Sequence, residues 1–173
     1  MQDHIGLLIV DVQAGFVDAG TDHVPGIVEE LQRDYRHIAA SRFVNHVNSP
    51  HRRFLDWNRF LPDTSEVELA FEPVAQALVF DKPSYSAVSY DLLRWVHLNG
   101  ISEVHVCGID TEICVLSSAT ALFEVSIKSV VLEWACASGG GKEGHDAGLV
   151  ALRRLIGCAN VWADSSGKRY FGE

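Results

Sequence analysis

Residues 104–123 read VHVCGIDTEICVLSSATALF, and the fold follows from how they divide. Residues 104–107 suit a short strand, Gly108 stops it, and Thr111 stands where it can N-cap a helix running through Phe123. Strand, tight turn and helix in such close succession are the repeating unit of an α/β sheet. Cys114 lies three residues past Thr111, in the first turn of that helix. A free thiol has a pKa of about 8.5 and is mostly protonated at neutral pH, but a helix N-terminus and a nearby cation both favour the thiolate.

The same alternation continues on either side. Ile5–Val10 is an unbroken apolar run ending at Asp11, as in a strand buried on both faces. Val24, Ile27, Val28, Leu31, Tyr35 and Ile38 recur at helical spacing around Pro25. Residues 38–45 read as a second strand, and 77–80 as a third that leads into Asp81-Lys82-Pro83. Residues 90–99 read as a helix with Gly100 at its C-terminal cap. Further on come a strand over 126–134, a loop at Gly139-Gly140-Gly141, a helix over 145–156 closed by Gly157, and a last strand over 160–163. The stretch 46–76 is irregular and rich in aromatics. This order predicts one α/β domain over 1–173, with a six-stranded, mainly parallel sheet and helices on both faces.

Ligand sites in such sheets lie beyond the carboxyl ends of the strands. Asp11, Lys82 and the segment 108–114 each follow a predicted strand, so three reactive side chains converge on one edge of one sheet. Asp11 is placed to take a thiol proton and pass it to a leaving amine, and Lys82 to act as the cation beside the sulfur.

Composition narrows the partners. Fourteen Lys and Arg against 23 Asp and Glu give a formal charge of −9. The arginine pairs 52–53 and 153–154 are the only basic runs, so neither nucleic acid nor an anionic membrane surface is an expected partner. The first residues, MQDHIGLLIVD, lack a basic segment and a cleavage site, and no apolar stretch reaches the ~18–20 residues that span a bilayer. A cytoplasmic protein acting on a small molecule is expected. None of the four cysteines forms a C-x-x-C pair. Cys107 falls inside a strand and Cys136 and Cys158 beside turns, all three in structural roles. The run Gly139-Gly140-Gly141-Lys142 lacks the first glycine and the hydroxyl residue of a phosphate loop, since Cys136 and Glu143 occupy those positions. His145 reads as a helix cap.

Four segments carry a family resemblance: LLIVDVQAGFVD at 7–18, DKPSYSAV at 81–88, VCGIDTEICVLSSATALF at 106–123 and WACASGGGKEGHDAGL at 134–149. In order and spacing they resemble the isochorismatase-like cysteine hydrolases, a superfamily that includes nicotinamidases, N-carbamoylsarcosine amidase, and ureidoacrylate and biuret amidohydrolases. The resemblance implies a Rossmann-like three-layer sandwich and a catalytic set of Asp11, Lys82 and Cys114. It implies that the cysteine attacks a carbonyl carbon, ammonia or an amine leaves, and water hydrolyses the thioester. It further implies an oxyanion hole from the backbone N–H groups of Asp110 and Cys114, with a cis Ile109–Asp110 peptide bond. The Asp110 carboxylate is expected to point away from Cys114 Sγ, capping the helix or meeting a cation. Because the cysteine is present, the chain does not match the vinyl-ether-cleaving members that lack it. A C–N bond in a small amide, ureido or carbamoyl compound is the expected target.

Phe16, Trp57 and Tyr85 are candidate walls of the substrate pocket. Nicotinamidases of the resembled family carry an Asp-x-His and a further His around a divalent metal. The corresponding RFVNHVNSPHRRFLDW at 42–57 holds His46 and His51 with no acidic residue between them. Both histidines read as solvated, and neither metal nor other cofactor is expected. The family also implies a homo-oligomer, with the aromatic segment 54–71 as candidate interface. The competing readings are a metal-assisted, nicotinamidase-like amidase and a catalytically idle assembly module. The intact Asp11, Lys82 and Cys114 weigh against the second.

Overall fold

The unbroken apolar run Ile5–Val10 forms strand β1, and Leu7 through Val10 are sealed from solvent. A strand covered on both faces belongs in the middle of a parallel sheet, and β1 pairs there with β2 (His37–Phe43) on one side and β4 (Glu103–Ile109) on the other. A computed structural model describes residues 3–164. Its sheet runs β3-β2-β1-β4-β5-β6, with β3 at Leu78–Lys82, β5 at Lys128–Ala137 and β6 at Val161–Trp162. Every strand pairing is parallel, where the sequence predicts a mainly parallel sheet.

The helices are α1 (Val24–Leu31), α2 (Pro50–Leu55), α3 (Tyr90–Leu98), α4 (Leu116–Glu124) and α5 (Gly141–Leu155). Ser89 caps α3 by accepting the Leu92 N–H at 3.3 Å, and Gly100 with φ +62° ends it. Right-handed crossovers put α1 on one face of the sheet and α3, α4 and α5 on the other. Packing agrees: a Cβ on Gly6 would meet the Trp95 ring of α3, and Ser129 of β5 bonds Ala119 of α4 on that same face. The direction of strand succession reverses between β1 and β4, which places a crevice at their carboxyl ends.

Several boundaries differ from the sequence reading. The α1 pattern stops at Leu31, because residues 32–34 tighten into a 3₁₀ turn before β2. Strand β5 starts later than 126, since Ser126 sits in a turn with φ +64°, and ends later than 134, because a bulge re-pairs Cys136 with Gly108. Helix α5 begins at Gly141 rather than 145, so only the start of the glycine run is loop. Strand β6 is two residues long.

Candidate active site

Asp11 leaves β1 with φ +52°, an uncommon conformation for a residue with a side chain. Its carboxyl is wholly buried, with Oδ1 accepting the Ser41 hydroxyl at 2.7 Å and Oδ2 2.7 Å from Lys82 Nζ. Ser41 reaches it because β1 and β2 pair Val10 with Ser41. Lys82 is the last residue of β3 rather than the first after it, opposite Phe43 in the register. Its ammonium donates to the carbonyls of Ser84 at 2.7 Å and Tyr85 at 2.9 Å, lies 3.7 Å from Cys114 Sγ, and stands 5.4 Å from the Phe43 ring centre. The cation is therefore held from five directions inside the protein.

The nucleophile turn follows β4. Gly108, with φ +126°, lets β4 pass close to β1, where any Cβ would lie 2.1 Å from the Val10 carbonyl oxygen. The Ile109–Asp110 peptide bond is cis. Residues Thr111–Val115 then form one wide π-helical turn, with the Val115 N–H donating to the Asp110 carbonyl at 3.0 Å, before α4 begins at Leu116. Thr111 is not the expected cap. Its buried hydroxyl instead bonds the Ala137 carbonyl at 3.1 Å and meets His145 Nδ1 at 2.8 Å, which also removes His145 from a capping role. The Asp110 carboxyl neither caps the turn nor meets a cation; it accepts the Gly139 N–H at 2.6 Å. Burial pushes its pKa up, and the carboxylates of Glu112, Asp11 and Asp18 add to the effect.

Cys114 is 5 % exposed and touches both members of the ion pair, its thiol hydrogen-bonded to Asp11. Burial pushes the thiol well up, the Asp11 charge pushes the same way, and Lys82 opposes them. The expected resting thiolate is thereby corrected: the proton stays on sulfur until a base takes it. Burial also raises Asp11, against the pull of Lys82 and Ser41, so its carboxyl is a stronger base than a solvated one.

A cavity of about 160 Å³ opens over Cys114. Phe16, Trp57 and Tyr85, the three candidate wall residues, all line it. The sequence reading missed Phe43, His51, Leu55, Asp110 and Ile113 as walls. His51 is the main correction, since it is not solvated on a loop. Ser49 caps α2 by accepting the Arg52 N–H at 3.2 Å, and α2 carries His51 inward to 5 % exposure, with Phe43 and Tyr85 at ring distances of 4.9 Å. A Ser-Pro pair three residues ahead of Arg52 was the signal for that helix. His46 is exposed.

Other expectations change as well. Of the 54–71 aromatics, Phe60 and Phe71 belong to the core, while Phe54 is 74 % exposed, so the segment is mostly internal packing. Cys107 and Cys136 are buried thiols, the latter inside β5 rather than beside a turn, with its pKa pushed up to about 12 by burial. Cys158 opens a short turn and is exposed.

The family model described as Isochorismatase domain matches residues 6–162. No match is found among curated proteins. Among solved structures, an isochorismatase-like hydrolase from Alkaliphilus metalliredigens is 21 % identical, with 91 % of this chain and 93 % of that one covered and a TM-score of 0.80. A pyrazinamidase of Pyrococcus horikoshii in complex with zinc is 23 % identical, covering 91 % and 97 %, with a TM-score of 0.77. A cysteine hydrolase from Pseudomonas syringae pv. phaseolicola is 18 % identical, covering 92 % and 88 %, with a TM-score of 0.76. At these identities the likeness is one of fold. Zinc does not fit this chain: among the described residues no three His, Cys, Asp or Glu side chains cluster to hold a metal. Where an acidic ligand would be needed, Asn45 spends its amide on the carbonyls of Trp57 and Arg59. Among the described residues no helix is long and apolar enough to cross a membrane. Matched over nearly its whole length and sharing the all-parallel six-stranded sheet, the chain belongs to the isochorismatase-like hydrolase family.

Proposed function

We propose that the chain is a cysteine hydrolase that cleaves a C–N bond of a small amide, ureido or carbamoyl compound through a thioester on Cys114. The observation that carries this reading is the buried Asp11–Lys82 pair, 2.7 Å apart, pressed against a thiol at the floor of a cavity. Burying two charges is costly, and stability alone gives weak reason to keep them. Here the pair supplies a base and a fixed cation at one sulfur atom.

In the proposed cycle Asp11 takes the Cys114 proton as Sγ bonds to the carbonyl carbon. Lys82 offsets the charge that develops on sulfur and on Asp11. Backbone N–H groups of Asp110 and Cys114 receive the oxyanion; one such donor is worth about 10²–10³ in rate. Asp11 then gives its proton to the leaving nitrogen as the C–N bond breaks. Water attacks the thioester, loses a proton to Asp11, and the acid departs as that proton returns to Sγ. The protein acts as a homo-oligomer in the cytoplasm in this reading, with a small neutral molecule as its partner.

The test is an ammonia-release screen of small amides, ureides and carbamoyl compounds, followed by mass spectrometry of rapidly quenched enzyme. At least one compound is expected to turn over and leave an acyl adduct on Cys114. Turnover without an adduct, and with full activity in Cys114→Ala, overturns the mechanism. Silence across the panel from folded protein overturns the activity.

A further inference from the structure

The cavity holds a polar group for which the chemistry at Cys114 has no use. His51 is 5 % exposed, lines the cavity, and has no hydrogen-bond partner for its ring among the described residues; Nδ1 is covered outright. Its orientation is fixed by edge-on contacts with Phe43 and Tyr85, both at 4.9 Å between ring centres. A buried polar group without a partner forgoes the bonds it would make in water, so it is disfavoured unless something else supplies one. Burial and the nearby Lys82 charge lower the pKa of the ring and keep it neutral, with one donor and one acceptor nitrogen. The wall already contains an acceptor in the Asp110 carboxyl. A free N–H is what His51 adds.

Size and shape limit what can meet it. About 160 Å³ is room for a single-ring molecule, since a cavity of roughly 150 Å³ in another protein accommodates benzene. Phe16, Phe43, Trp57 and Tyr85 make the walls aromatic, which suits a flat occupant.

Resting on the amide-hydrolase reading above, we infer that His51 is a specificity-determining residue, donating a hydrogen bond to an acceptor on the substrate away from its scissile carbonyl. The enzyme therefore favours a flat, single-ring amide that carries such an acceptor over the same ring without one.

Binding to the full-length Cys114→Ala protein tests this without turnover. The probes are benzamide and its three pyridine analogues, picolinamide, nicotinamide and isonicotinamide, measured by calorimetry. At least one pyridine isomer is expected to bind about two- to tenfold more tightly than benzamide, the range of one net hydrogen bond. His51→Phe in the same background should erase that preference and leave benzamide within about twofold, which also reports an intact pocket. His51→Gln, which keeps an N–H donor, should retain part of it, and this separates a lost bond from a reshaped wall. An unchanged pyridine preference in His51→Phe overturns the assignment, as does equal or absent binding of all four probes in the parent. A chain that binds in the expected pattern yet releases no ammonia with Cys114 restored loses the amidase reading alone. A chain that hydrolyses benzamide and the pyridine amides alike loses the His51 assignment alone.

Discussion

Strand β4 carries a buried polar network at each end, and the two are built differently. At its start, Tyr35 Oη meets His105 Nδ1 at 2.5 Å, His105 Nε2 meets Glu103 Oε1 at 2.9 Å, and Lys128 Nζ meets Glu103 Oε2 at 2.7 Å. The His105 ring also packs edge-on against Trp162. Both His105 nitrogens and both Glu103 oxygens are used, which is how a polar cluster becomes stable inside a fold. Past its other end stand Cys114, Asp11 and Lys82, with a thiol between two opposite charges and a cavity above it. One network closes upon itself, and the other leaves its reactive atom facing space. Burial of charge is common to both, so the open face is what separates chemistry from architecture.

The widest gap between the two ends should be in turnover. Cys114→Ala is expected to lower kcat by about 10⁴-fold or more on any substrate found, as loss of a covalent nucleophile does. A residual rate within tenfold of wild type would erase the distinction.

Stability should separate the two lysines. Lys82→Met strands the buried Asp11 charge and should cost about 3–5 kcal/mol in urea unfolding. Lys128→Met removes a cation whose side chain is 52 % exposed and should cost under about 1 kcal/mol. Similar losses for both would mean that the site pair is no more buried in effect than the surface one.

The carboxylates should titrate in opposite directions. Burial raises Asp11, which must be ionised to accept the thiol proton, so kcat/KM should fall on the acid side at a pH above the ordinary Asp value of about 3.9. Burial works against Glu103 too, but its bonds to Lys128 and His105 outweigh that and lower it. The Glu103 contribution to stability is thus present above its unfolded pKa and is lost only as pH falls through the lower folded one. The Asp11 contribution is present below its unfolded pKa and is lost as pH rises through the higher folded one. An acid limb at or below the ordinary Asp value would break the assignment of Asp11 as base.

The smallest effect belongs to the closed network. Tyr35→Phe removes one hydrogen bond and should cost about 1 kcal/mol while leaving kcat/KM unchanged. A change in catalysis would show that the two ends communicate.

The strand-end residues were legible because an apolar run that stops at a charged residue marks both the strand and its exit, as at Val10–Asp11 and Phe80–Lys82. The walls were legible only where an aromatic fell close to a motif, as Phe16 and Tyr85 do. Phe43 was hidden because an aromatic ending a strand looks like core, and His51 because one capped turn of helix carries too few residues to show a period. The early start of α5 contradicts the usual reading of glycine as a breaker. Tertiary packing explains it: Gly144 and Gly148 lie against Glu112, where a Cβ would come within 2.6 Å and 2.7 Å of that residue, so the helix needs bare backbone there. The wide turn at 111–115 had no sequence signal, because Thr111 resembles any N-cap until its partners Ala137 and His145 are known.

The exposed Cys158 has a bearing on handling at the bench. A thiol reagent reaches this surface group before the covered Cys114, so a labelling count on the native chain registers the wrong sulfur first. Air oxidation can likewise tie two copies together through it and imitate a dimer on a non-reducing gel. A Cys158→Ser background turns the same reagent into a titration of the site.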